Sequence, residues 1–70
     1  MVRVKVKGFK PYGGKTDKSI LIQQGINKCW FSMKYLETKD LDADEFIFML
    51  PDNYYKLLRD KSDVEIVVLD

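Results

Sequence analysis

At 70 residues and 8.2 kDa the chain has room for one small core, because a domain of this size buries only roughly 60% of the surface its unfolded chain exposes. Its 46% hydrophobic and 33% charged residues exclude a disordered chain and an apolar membrane-crossing helix, and the lack of His beside a single cysteine, Cys29, excludes the usual zinc ligand sets and an internal disulfide. The net charge of +1 hides halves of opposite sign: residues 1–34 carry eight basic residues against one acid, and residues 35–70 carry four against ten.

In chain order, Val2-Arg3-Val4-Lys5-Val6-Lys7 alternates strictly, which predicts a strand with valines on one face and cations on the other. The valines must face the core, since the opposite register would bury three unpaired cations. Gly8 to Asp17 holds Pro11, Gly13 and Gly14 and reads as a long loop or wide hairpin carrying Phe9 and Tyr12. Ser19 to Gln23 is a second strand whose consecutive apolar residues predict burial on both faces. Gly25-Ile26-Asn27 supplies a turn into a third strand at Cys29-Trp30-Phe31, so that 18–32 forms a hairpin.

Met33, Tyr35 and Leu36 predict a short helical turn before the acidic run from Asp40 to Glu45. Glu45 to Leu50 is a fourth strand, ended by Pro51. Asp52 is then placed as an N-cap for a helix to about Lys61, with Tyr54, Tyr55, Leu57 and Leu58 as its apolar stripe and one of the two tyrosines turned away from the core. Asp63 to Leu69 closes the chain as a fifth strand, paired and partly central because of its β-branched density. The order β-β-β-turn-β-α-β gives an α+β domain spanning 1–70: a curved, mostly antiparallel five-stranded sheet or partly open barrel with one short helix. Val4, Ile20, Ile22, Trp30, Phe46, Phe48, Ile66 and Val68 form its expected core.

Most chemical motifs fail on spacing. Gly13-Gly14-Lys15-Thr16 resembles the end of a phosphate-binding loop, but the glycine needed five positions before Gly14 is Phe9, and a strand follows where a helix is required. Asp40-Leu41-Asp42-Ala43-Asp44 has the alternating carboxylates of a calcium loop, yet Glu45 stands at the obligatory glycine and Pro51 at the bidentate acid. No His is present to act as a base, Cys29 lies in an apolar strand, and the carboxylates fall on loops and helix ends. The expectation is a protein without catalytic residues, metal or cofactor.

What survives is a face. Arg3, Lys5, Lys7, Lys10, Lys15 and Lys18, with Phe9 and Tyr12 among them, form a basic, aromatic-bearing surface of the kind that tracks a phosphate backbone and stacks bases. Its bland counterpart is an edge strand kept soluble by lysines, with the two rings folded over the barrel mouth. Asp40, Asp42 and Asp44 form an alternative, acidic face suited to a basic partner.

Lys18-Ser19-Ile20-Leu21-Ile22, the hairpin into Trp30-Phe31, and the later strand ending in Pro51 before a short helix resemble small bacteriophage early-region and accessory proteins. That resemblance implies a phage-encoded accessory protein in a bacterial cytoplasm, acting as an inhibitor that binds a host or defence protein. The expected function is therefore a small binding module working by protein contact, as a monomer or small homo-oligomer and away from membranes. Single-stranded nucleic acid is the alternative partner.

Overall fold

A computed structural model describes residues 1–69. Five strands and one α-helix follow one another as β1 (Val2–Lys7), β2 (Ser19–Gln24), β3 (Asn27–Ser32), β4 (Glu45–Leu50), α1 (Asp52–Lys61) and β5 (Val67–Val68), with a 3₁₀ turn at Met33–Tyr35. The α+β class and element order are those expected, but the strands divide into two antiparallel sheets and do not close. One sheet has the order β4-β1-β5, and the other is the β2-β3 hairpin.

Alternation explains the first sheet. Val4 and Val6 are fully buried opposite Phe48 and Phe46, and the intervening Arg3, Lys5 and Lys7 point outward. In the second sheet Ile20 and Ile22 are buried, while Leu21 between them is only half-buried, so β2 hides one face and not two. The hairpin turns on Gly25, whose φ of 59° at the first of two loop residues suits the right-handed twist of the flanking strands. The two sheets meet through Phe31 and Phe48, stacked with ring centroids 4.8 Å apart. Leu50, Leu58 and Val64 complete this core.

The chain passes between the sheets at Gly8. Its N–H donates to Asp44 O (2.8 Å), just before β4, and one residue later Phe9 exchanges two backbone hydrogen bonds with Gln23, at 3.0 and 2.9 Å. Gly8 follows directly on β1, and a Cβ there would lie 2.5 Å from Gln23 O and 2.9 Å from Ile22 Cγ2. Its φ of 152° is also one that side-chain-bearing residues rarely adopt. The segment after Phe9 lies along β2, with Leu21 N–H donating to Gly14 O (2.7 Å), and turns at Gly13 (φ 76°).

Several expectations change. The fifth strand is two residues long and sits at the sheet edge, because Val64 turns into the core and the Gln24 side chain holds the Glu65 backbone by two hydrogen bonds (2.9 and 2.7 Å), keeping this stretch off the ladder. Val68 is consequently exposed and Ile66 half-buried, rather than both being core residues. Trp30 is exposed and Phe31 takes its place inside.

Pro51, not Asp52, is the N-cap of α1; Asp52 lies in the first turn, where its carboxylate pairs with the N-terminal ammonium of Met1 at 3.3 Å. Neither tyrosine is turned fully outward. Tyr54 accepts a hydrogen bond from Ser32 N–H through its hydroxyl (3.1 Å) and packs edge-on to Tyr35, while half-buried Tyr55 lies beneath the Arg59 guanidinium. Leu57 is the stripe residue that faces water.

Replacing Gly8 by Ala forces either the strand or Gln23 to move, and is expected to destabilise the fold by roughly 2–4 kcal/mol. Gly13→Ala, with open space around its Cβ, should lose only about 1 kcal/mol from its positive φ. Equal shifts of the two urea midpoints would show that Gly8 is not a steric junction.

Candidate binding face

The cations expected to act together are split between two environments. Those of β1 meet acids from the second half of the chain: Arg3 Nε lies 3.2 Å from Glu37 Oε2, and Lys7 stands opposite Glu45 in the ladder. Lys7 also lines, with Gln24, Glu65 and Val67, a cleft of about 140 Å³. Lys5 lies between Ile47 and Val67 in register. This side of the molecule is a mixed-charge, partly apolar surface, and the opposite charges of the two halves are neighbours here.

Asp40, Asp42 and Asp44 are exposed on the loop before β4. Asp40 Oδ1 accepts a hydrogen bond from Asp42 N–H (3.0 Å) and Asp44 O one from Gly8 N–H, so part of this loop's polar capacity serves its own turn. Among the described residues no group of three or more potential ligands is arranged to hold a metal ion.

The remaining expected residues lie with the hairpin sheet. Because Ile20, Ile22 and Phe31 point inward, the outer face of this sheet carries Ser19, Leu21 and Gln23 from β2, opposite Ser32, Trp30 and Lys28 from β3. Phe9 extends the last row by bridging to Gln23. Trp30 is 47% exposed and Phe9 50%, and Tyr12 stands fully in solvent on the turn closed by Gly14 N–H to Pro11 O (2.8 Å).

Lys15 and Lys18 are exposed on the segment flanking β2, and Lys10 is half-exposed. Where the hairpin meets the 3₁₀ turn, an open depression of about 450 Å³ is lined by Asp17, Lys18, Ser32, Met33 and Lys34. Residues 8–34 contain five lysines and a single acid, Asp17. Among the described residues none of these lysines takes part in a salt bridge.

Trp30 and Lys28 were absent from the expected site, although a signal for them exists. In β3, Lys28, Trp30 and Ser32 share one face while Asn27, Cys29 and Phe31 share the other, so burying Trp30 would bury the Lys28 ammonium with it. Phe31 is the ring that can enter the core without a charge following it.

The chain matches no family model, no curated protein and no solved structure.

The register of β3 is directly testable. Phe31→Ala should destabilise by about 3–5 kcal/mol, as for a large ring removed from a core, and Trp30→Ala by less than about 1.5 kcal/mol. The fluorescence of Trp30, the single tryptophan, should be quenched readily by acrylamide in the folded protein. A strongly protected tryptophan, or a larger loss from Trp30→Ala than from Phe31→Ala, would reverse the assignment of inner and outer faces.

Proposed function

We propose that the protein is a non-enzymatic binding module that works by macromolecular contact through the outer face of the β2-β3 sheet. The observation that carries this reading is the exposure of Trp30 and Phe9 on either side of β2, each held there by pairing to that strand. An exposed tryptophan fixed on a sheet is a ready-made anchor, since Trp is the residue type most enriched among binding hot spots.

Catalysis has little support. The sequence has no His, the buried side chains of the described residues are all apolar, the cleft at Lys7 is, near 140 Å³, smaller than the roughly 300 Å³ of ordinary small-ligand pockets, and the depression of about 450 Å³ at Lys18 is open to solvent. The resemblance to phage accessory proteins is consistent with a module of this kind in a bacterial cytoplasm, where an inhibitor of a host or defence protein would act by contact alone. The unpaired lysines around the face favour the second class of partner, a single-stranded nucleic acid.

Affinity capture from a bacterial lysate tests the face itself. The Phe9→Ala/Trp30→Ala double variant should lose at least about tenfold in captured material, a loss of about 1.4 kcal/mol that a modest hot spot exceeds. Lys5→Glu, on the other sheet, should change capture by less than about twofold, since it is a surface substitution away from the contact. Capture that is indifferent to the double variant would overturn the reading.

A further inference from the structure

We infer that the ligand of the β2-β3 face is a single-stranded nucleic acid, an inference that rests on the reading of that face as the working surface. Three observations favour it over an acidic protein. The first is the kind of cation. Residues 8–34 hold five lysines and no arginine, whereas protein interfaces are enriched in arginine and depleted in lysine. A lysine ammonium serves a phosphate as a mobile point charge, without the fixed two-pronged geometry that a carboxylate partner rewards.

The second is how the face is patterned. A protein-binding patch has an apolar centre and a polar rim. Here Leu21 and Trp30 form one row, and Phe9, Gln23 and Lys28 the next, so rings, amide and ammonium interleave across the centre. Strands about 4.8 Å apart, rising about 3.3 Å per residue, set the Phe9 and Trp30 backbones about 12 Å apart, too far for the rings to merge into one patch. Two separated rings, with Gln23 and Leu21 between them and Lys28 beside Trp30, suit successive bases of a flexible strand, because every base presents a face that can stack.

The third is where the acids are. Glu37, Glu45 and Glu65 are gathered around the β1 cations, while residues 8–34 contribute only Asp17, beside Lys18 and Lys34 in the open depression. A phosphate backbone running from Lys28 toward Lys18 and Lys34 would therefore meet cations at both ends of the hairpin face, with Asp17 as the one carboxylate that this segment itself contributes. Stacked bases on Trp30 and Phe9 would fill the ground between.

The test uses the purified full chain and a fluorescein-labelled oligothymidine of about 20 nucleotides, long enough to hold at least one of the roughly 4–16-nucleotide sites that small β domains occupy. Anisotropy should report binding that weakens about 20- to 50-fold between roughly 50 and 200 mM salt, the response expected when three or four lysines displace counterions from a single strand. Bound oligonucleotide should also quench Trp30 directly. Trp30→Ala and Phe9→Ala should each weaken binding by about 5- to 150-fold, the range for loss of one stacked base. Lys28→Glu/Lys34→Glu, both at exposed positions, should abolish binding while leaving the thermal midpoint near that of the parent, and this arm stands even if a ring variant unfolds.

No binding at the lower salt, binding indifferent to both ring variants, or equal binding to inorganic polyphosphate and to duplex of the same length would each overturn the inference. Capture from lysate that depends on Trp30 but survives nuclease, with no oligonucleotide binding by the purified chain, would assign the face to a protein partner. That result would remove this inference and leave the binding-module reading in place.

Discussion

The two sheets are held in one molecule by the passage of β1 through Gly8, where the chain leaves the ladder beside β4 and joins β2 within two residues. The handover works only because nothing projects from the inner side of Gly8, where Gln23 O and Ile22 Cγ2 occupy the space of a Cβ. Much follows from this close approach. It brings Ile20 and Ile22 against the side of the first sheet that carries Val4 and Val6, which lets a chain of this length enclose stacked Phe31 and Phe48 between layers. It also sets the parity of the next residue, so that Phe9 emerges on the outer face of the hairpin instead of in the core.

The same junction sorts the charge. Up to Lys7 the basic residues belong to the sheet in which β1 pairs with β4, and that strand and the segment before it bring Glu45 and Glu37 to them. After Gly8 the basic residues belong to a hairpin that pairs within residues 9–32, a region with one acid of its own. The asymmetry between sequence halves is therefore compensated by ladder and side-chain pairing at β1, while the hairpin segment brings only Asp17 of its own. Exposed pairs such as Arg3–Glu37 contribute at most about 1 kcal/mol, so this arrangement says little about stability and more about which surface presents an unbalanced field to a ligand.

Strand existence was legible wherever one physical signal dominated. Strict alternation marked β1, an apolar run closed by proline marked β4 and the start of α1, and glycine at a two-residue loop marked the β2-β3 turn. Faces were harder to read, because they depend on which neighbour a strand meets. Trp30 is expected in the core among the apolar strand residues, but a strand has only two faces, and Lys28 two residues earlier decides which one is wet. The end of the chain misled for a related reason. The β-branched density of Ile66-Val67-Val68 argues for a ladder, yet Val64 finds a place in the core and the Gln24 amide, 41 residues away in sequence, fixes the backbone at Glu65. No local pattern contains that contact.

The candidate face was half legible for the same reason. Phe9, Tyr12, Lys10, Lys15 and Lys18 were recognisable as a basic, aromatic-bearing segment, but Arg3, Lys5 and Lys7 joined them only while the strand was imagined without partners. Once β4 and β5 are paired to β1, those three cations stand among glutamates and aliphatic side chains, and Lys28 and Lys34 take their place from the far strand and the turn beyond it. The exchange follows from topology: a hairpin folds its two ends of positive charge onto one surface, whereas a strand inserted between β4 and β5 gives its charge to them. With Phe31 turned in beside Phe46 and Phe48, the register of β3 holds Trp30 in solvent beside Lys28, on a frame fixed by the hydrogen bonds of the hairpin.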